Sequence, residues 1–242
     1  IGSVWKTLGL SMRWVLYPLA VLCFIAILVL ATIAAVVWPK LPSLEVLTDY
    51  RPKIPLRIYT ADNYLLAEYG EERRSFVHIS DVPPVLVQAI LAAEDERFYE
   101  HPGVDMLGIL RAAGANLVSG GKAQGASTIT MQVARNFFLT REKTLSRKFY
   151  EVLLSLNIER NLSKDQILEI YINQIFLGQR AYGFAAAANA YFGKSLKDLT
   201  VPEAAMLAGL PKAPSAYNPV VNPKRAALRQ QYVLRRMHEL GF

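Results

Sequence analysis

The sequence predicts a mainly α chain with a small β element, preceded by one transmembrane helix. Three observations lead there. Residues 14–38 contain no Asp, Glu, Lys or Arg. Residues 56–69 read as two strands about a polar turn. From Asp81 onward apolar residues recur at helical spacing, with two capping boxes among them. At 242 residues and 52% hydrophobic content, the chain holds an anchor and one domain with an ample core, but no second full enzyme domain.

At helical rise, residues 14–38 extend roughly 37 Å, enough to cross a ~30 Å hydrocarbon core with some tilt. Trp14, Tyr17 and Trp38 sit near the ends of the run, where aromatic rings favour the membrane interface. A cleaved signal peptide is the competing reading, but its apolar stretch is shorter, about 7–15 residues. An uncleaved anchor is therefore expected. Lys6 and Arg13 precede it, which places residues 1–13 in the cytoplasm as a short tail, although Lys40 works against that asymmetry. The chain does not begin with Met, as expected of a trimmed sequence.

Residues 39–79 read as a connector with short strands. Prolines punctuate it as far as residue 55. Strands are expected at 56–60 and 64–69 about the turn Ala61-Asp62-Asn63, and a third at 75–79, set off by the charged run Glu71-Glu72-Arg73-Arg74. Residues 80–242 form the main domain. There Leu86, Ala89, Ile90 and Ala93 share one helix face. Glu94 emerges where that apolar helix ends, with Ala92, Ala93 and Phe98 as near neighbours. A half-buried carboxylate in such a place has a raised pKa, because desolvation disfavours its charge. It then becomes a useful proton acceptor or donor near neutral pH. A helix-end glutamate in water is the plainer alternative. Next, Met106, Leu107, Ile109 and Leu110 open a helical segment that runs into Ser119-Gly120-Gly121-Lys122. Ser163-Lys164-Asp165-Gln166 and Thr200-Val201-Pro202-Glu203 are the capping boxes, and residues 184–192 are alanine-rich, as tightly packed helices often are. No 20–50-residue repeat is evident.

The net charge of +7 suits nucleic acid, anionic lipid or a phosphorylated substrate. Zinc-ligand spacing, an aromatic stacking signature and a Walker-type loop are all missing, which argues against a nucleic-acid partner. The single Cys23 excludes a disulfide within the chain, and the three histidines show no metal-site spacing.

Five segments, in order, resemble the signatures of the peptidoglycan glycosyltransferases, the lysozyme-like domain of bifunctional class A penicillin-binding proteins. The first is Glu94-Asp95-Glu96-Arg97-Phe98-Tyr99-Glu100-His101-Pro102-Gly103-Val104-Asp105. Gly125-Ala126-Ser127-Thr128-Ile129-Thr130-Met131-Gln132-Val133-Ala134-Arg135-Asn136 is similar to the second, and Arg147-Lys148-Phe149-Tyr150-Glu151 to the third. Glu169-Ile170-Tyr171-Ile172-Asn173-Gln174 resembles the fourth and Ala208-Gly209-Leu210-Pro211-Lys212-Ala213-Pro214 the fifth. One such motif is weak evidence, whereas five in family order and spacing make chance an unlikely source. Two positions depart from the family pattern. Met131 stands where a Gln is usual, and Tyr150 stands where a Lys is usual.

The resemblance implies a lysozyme-like lobe with a smaller lobe touching the bilayer, and a C-terminal transpeptidase domain that is not in this chain. It implies polymerisation of lipid II into β-1,4 glycan strands with release of undecaprenyl diphosphate, at the bacterial cytoplasmic membrane, with the domain on the outer side. Partners would be lipid II, the growing strand, membrane lipids and other cell-wall synthesis proteins. Glu94 matches the family's general base and Glu151 its second carboxylate. Glu151 could orient a basic group, hold a divalent cation such as Mg or Mn, or act on the sugar. A salt bridge to Arg147 or Lys148 is its plain structural reading. Arg135, Lys148 and Arg147, with Ser127 as a hydroxyl donor, are candidates for the diphosphate, since guanidinium groups present a rigid fork of donors. Arg111 resembles another active-site arginine, against a role on the helix surface. Gln132, Asn136, Tyr171 and Asn173 are expected to support the fold or bind sugar, and Asp95 and His101 to brace the first motif. Residues 106–124 are either a packed helix and loop or an interfacial segment that loosens for a lipid substrate. Two other classes stand against this reading. A lytic hydrolase would need an acid carboxyl and no diphosphate-binding cations. A tethered peptidoglycan-binding scaffold would not need Glu94 and Glu151.

Overall fold

The computed structural model describes residues 2–48, 56–70, 72–119, 127–140 and 144–242. Gly125 and Ala126 of the second signature, the Gly120-Gly121-Lys122 stretch, Glu71 and residues 49–55 of the connector lie outside the described residues. The chain divides into two compact units, Ile1–Ser43 and Leu44–Phe242.

The first unit is built on α1 (Gly2–Val37). Its apolar part is long and apolar enough to cross a membrane by length and composition, with a mean hydropathy of 3.1. The helix also runs through residues 2–13, the stretch expected to be a short cytoplasmic tail. The Thr32 hydroxyl donates to the Leu28 carbonyl at 2.8 Å. That bond keeps a polar group satisfied within the apolar stretch of the helix.

The second unit is mainly helical. A single turn, α2 (Glu45–Thr48), precedes a hairpin of β1 (Leu56–Tyr59) and β2 (Leu65–Tyr69), paired antiparallel with Leu56 opposite Tyr69. The expected third strand at 75–79 is not there. The strand is instead β3 (Arg73–Arg74), inside the charged run, and it pairs parallel with β4 (Ala181–Tyr182). The reason lies in where the next backbone groups bond. The Asn173 side chain accepts from the Val77 N–H at 2.9 Å and donates to the Val77 carbonyl at 2.8 Å, and Glu169 accepts from the Ile79 N–H. With these groups satisfied by side chains, residues 75–78 have no strand partner.

The helices are α3 (Pro84–Glu94), α4 (Met106–Ser119), α5 (Ile129–Phe138), α6 (Leu145–Asn161), α7 (Lys164–Gln174), α8 (Phe184–Phe192), α9 (Val201–Gly209) and α10 (Pro223–Glu239). Pro84 starts α3, where a missing N–H costs nothing. Leu86, Ala89 and Ile90 are fully buried, as the periodicity predicts. Ala93, expected on the same face, is only half-buried because it lines a cleft. α9 packs on both α3 and α10, and α5 on both α6 and α7. Both predicted capping contacts form. Ser163 caps α7 reciprocally with Gln166, and Thr200 donates its N–H and its hydroxyl to Glu203 at the start of α9. The α3 side of the core thus delivers Glu94, and the α5–α6 side delivers the second and third signatures.

Candidate active site

Glu94 is the last residue of α3, and its side chain is 12% exposed. Its Oε2 accepts a hydrogen bond from Gln132 Nε2 at 2.9 Å. Its Oε1 is buried and has no hydrogen-bond partner. Among the described residues the nearest cation is the Arg229 guanidinium, 3.7 Å from Oε1. Burial pushes the Glu94 pKa up, and the Gln132 bond and the charges of Arg229, Lys212 and Arg135 counter it only in part. The raised pKa expected from the sequence is therefore present, and the surroundings supply the reason.

The residue after Glu94 serves a different end. Asp95 and His101 form a buried pair, with Nε2 3.0 Å and 3.1 Å from the two carboxylate oxygens. The Gly103 N–H donates to His101 Nδ1, so Nε2 is the nitrogen that carries the proton toward Asp95. Asp95 also accepts from the Ile129 N–H, which puts a carboxylate on the first turn of α5 and ties the first signature to the second. Thr128 caps the same helix and donates to the Gly103 carbonyl at 2.6 Å. Gly103 has φ +95, and a Cβ there would lie 2.9 Å from the Ser155 carbonyl, so the turn needs glycine.

Both family departures have a structural account. Met131 is 1% exposed, in the core, and the neighbouring Gln132 is the residue that reaches Glu94. Tyr150 is exposed at 38%, while the cation beside Glu151 comes from Lys148 one turn earlier. Lys148 Nζ bonds both Glu151 Oε1 at 2.9 Å and Ser127 Oγ at 3.2 Å. Arg135 lies 3.9 Å from the same Glu151 oxygen, and Glu151 itself is fully buried with Oε2 unpartnered. Lys148, Arg135, Ser127 and Glu151 therefore form one cluster. Of the two partners offered for Glu151 by its plain structural reading, Lys148 is the one that pairs. Arg147 Nε is buried without a partner. Arg111 pairs with Glu96, which also takes Arg236 from α10. Asn136 is exposed, and Asn173 serves the fold through Val77. The Tyr171 hydroxyl is wholly buried and unpartnered, and burial followed by the Glu94 charge pushes its pKa well above the ordinary value.

A cleft of about 530 Å³ opens over Glu94. Arg111, Ser127, Lys212, Arg229 and Arg236 line it. Ser127 links it to the Lys148–Glu151 cluster through the bond to Lys148. A second hollow of about 430 Å³, lined by Tyr59, Arg73, Asn189 and Lys197 among others, contains no residue singled out for chemistry from the sequence. Among the described residues, no group of three or more His, Cys, Asp or Glu is arranged to hold a metal ion.

Sequence reasoning missed the role of α10 in this cleft. A signal was present: Ala226, Val233 and Met237 mark its buried stripe, and Arg229 falls on that stripe. An arginine on an apolar stripe needs a partner inside. Lys212 stood in the fifth signature without an assigned role, and it too faces Glu94.

A mainly helical lobe with a buried glutamate over a cation-rich cleft is a framework suited to chemistry on an anionic substrate. The chain matches the Transglycosylase family over residues 62–238, a span that holds every site residue above, and it belongs to that family. It is 60% identical over 217 residues to penicillin-binding protein 1A of Neisseria gonorrhoeae, which covers 90% of this chain and 27% of that protein. Against penicillin-binding protein 1A of Pseudomonas aeruginosa it is 53% identical over 204 residues, 84% of this chain and 25% of the relative. The crystal structure of penicillin-binding protein 1A from Haemophilus influenzae aligns with 77% of this chain and 18% of its own, at 34% identity and a TM-score of 0.42. The chain thus spans about a quarter of the length of the relatives it matches.

Proposed function

We propose that this chain polymerises lipid II into β-1,4 glycan strands and releases undecaprenyl diphosphate. The observation that carries the reading is the state of Glu94: buried, raised in pKa, held on one oxygen and free on the other. Glu94 Oε1 takes the proton from the acceptor sugar's hydroxyl. The hydroxyl oxygen attacks the donor's anomeric carbon, and the bond from that carbon to the diphosphate oxygen breaks. The electron pair leaves with the diphosphate. One displacement inverts the α-linked donor to a β product, through an oxocarbenium-like state comparable to that of glycoside hydrolysis.

Lys148, Arg135 and Arg147, with Ser127, stabilise the departing charge. Glu151 orients two of these cations, since it is buried against Lys148 and Arg135. The residues around Glu151 do not fit a resident divalent cation. One carboxylate flanked by two positive side chains leaves no second anionic ligand among the described residues, and no step here runs through a metal.

The residue 14–38 helix anchors the domain beside its lipid-linked substrates, with the N-terminus inside and the catalytic domain outside the cytoplasmic membrane. Protease shaving of spheroplasts should digest the bulk of the protein and spare an N-terminal tag; a mature chain starting just after the apolar run would reverse the anchor reading.

The test of function is incubation of the detergent-solubilised protein with labelled lipid II. Long strands are expected, and purified sacculi should not be degraded. Soluble fragments released from sacculi, with no polymer from lipid II, would identify a lytic hydrolase instead.

A further inference from the structure

Arg229 is the least expected charge in the molecule. It sits on α10 at 7% exposure, and burying a guanidinium is costly unless its donors and its charge are matched. Its Nε points to the Gly209 carbonyl at 3.4 Å and its Nη2 to the Ala93 carbonyl at 3.4 Å. These carbonyls close α9 and α3, where helix ends attract cations. Its guanidinium lies 4.5 Å from the Tyr232 ring centre and 6.0 Å from that of Tyr217. Gly209 makes the approach feasible, because a Cβ there would stand 2.8 Å from Arg229 Cγ. The only carboxylate among the described residues within 4 Å of Arg229 is Glu94, at 3.7 Å.

That distance matters. Gln132 already occupies Oε2. A guanidinium in hydrogen-bond contact with Oε1 would fill one of that oxygen's two lone pairs and compete with the acceptor hydroxyl for it. At 3.7 Å it supplies charge without taking that lone pair. We propose that Arg229 is a positioning residue for the reaction: together with Gln132 it fixes the Glu94 carboxylate, and it places a positive charge beside that carboxylate while leaving Oε1 open to the acceptor hydroxyl. The inference rests on Glu94 being the base. The other groups facing Glu94 are Arg135 from α5, Lys212 after α9 and Tyr171 from α7, while the carboxylates of its sequence neighbours Asp95 and Glu96 are taken up by His101 and by Arg111 and Arg236. Among the described residues Arg229 is the nearest cation, and it stands first among the charges that counter burial.

The test is the pH dependence of lipid II polymerisation by the anchored protein in detergent, with kcat and KM separated. Arg229→Gln removes the charge and Arg229→Lys keeps it. A base works only when deprotonated, so loss of the cation moves the acid limb of kcat upward. The expected shift for Arg229→Gln is about one to three pH units, with KM for lipid II little changed. Arg229→Lys should hold the limb nearer wild type. Thermal melts identify which variants fold. If Arg229→Gln is unfolded, Arg229→Lys against wild type, and Arg229→Ala as a second neutral variant, carry the comparison. A folded neutral variant with a wild-type acid limb, or Arg229→Gln and Arg229→Lys that lose rate equally at every pH, would reduce Arg229 to a structural residue. An inactive wild type, or a fully active Glu94→Gln, would instead defeat the functional reading on which this one stands.

Discussion

Glu94 and Glu203 are both glutamates at helix ends, and they are tuned in opposite directions. Glu203 lies in the first turn of α9, where the helix dipole favours an anion. It accepts from Lys194 at 2.8 Å and 3.0 Å, and from the Thr200 N–H and hydroxyl at 2.8 Å each. The Lys194 bond first, then those from Thr200, lower its pKa to about 2. Glu94 closes α3, at the end where the dipole opposes an anion, and burial raises its pKa. One of its oxygens has no partner. A carboxylate whose lone pairs are filled stabilises the fold and has little use as a base. A carboxylate left short of partners does the reverse. α3 and α9 pack on one another, so these two arrangements coexist in one part of the core.

The sharpest break of this contrast is Glu94→Gln. Glycan polymerisation should fall by about 10²–10⁴-fold, the usual contribution of a general base. The same change should raise the melting temperature at neutral pH. Glu94 has a folded-state pKa above its unfolded value. Its contribution to stability is therefore fully present below about pH 4 and lost as pH rises through the folded pKa. Glutamine does not ionise, so the gain should be largest at neutral pH and shrink on acidification. Melts at pH 4 and pH 7.5, with a strand-synthesis assay, check both halves. Near-wild-type turnover by a folded variant would remove Glu94 from the role.

A smaller loss is expected on the leaving-group side. Arg135→Ala and Lys148→Ala each remove a cation from the cluster that also holds Glu151. Each should lower kcat/KM for the diphosphate-bearing donor, Arg135 more than Lys148, by about 10²-fold for the larger effect. Binding of a diphosphate-lipid analogue should weaken in parallel. If neither variant changes donor use or analogue binding, the diphosphate site is elsewhere.

How much of this could be read from the sequence follows from the range of each interaction. The α3 stripe, the hairpin and both capping boxes depend on neighbours a few residues away, and each was legible. The motifs pointed to Glu94, Lys148 and Glu151, and the Lys148–Glu151 pair was among the readings they offered, but the bond from Gln132 to Glu94 was not, since Gln132 was expected to support the fold or bind sugar. β3 and β4 were not legible. Each has two residues, and no pattern in residues 73–74 points to a partner more than a hundred positions away. The place of Arg229 on the apolar stripe of α10 could have been read, but its partners could not, since its bond to Ala93 joins residues 136 positions apart. The third-strand expectation failed because Asn173, 96 positions from Val77, supplies the bonds that a strand would have made.

The smallest effect, and the control for the others, is Glu203→Ala. It removes the acceptor for Thr200 and the partner of Lys194, and touches nothing in the cleft. Strand synthesis at low temperature should be unchanged, while the melting temperature at neutral pH should fall, as loss of a helix cap generally causes. The pH dependence runs opposite to that of Glu94. A carboxyl with a depressed folded-state pKa contributes stability that is present above its unfolded value and lost as pH falls through the folded one. Wild type and Glu203→Ala should therefore differ most above about pH 4.5 and converge as pH approaches about 2. The exposed pair with Lys194 is screened by solvent and salt, so the difference should also narrow at high ionic strength. A gap in melting temperature that persists unchanged to pH 2 would mean that Glu203 acts through packing and not through its charge. The two glutamates would then no longer be opposite uses of one chemical group.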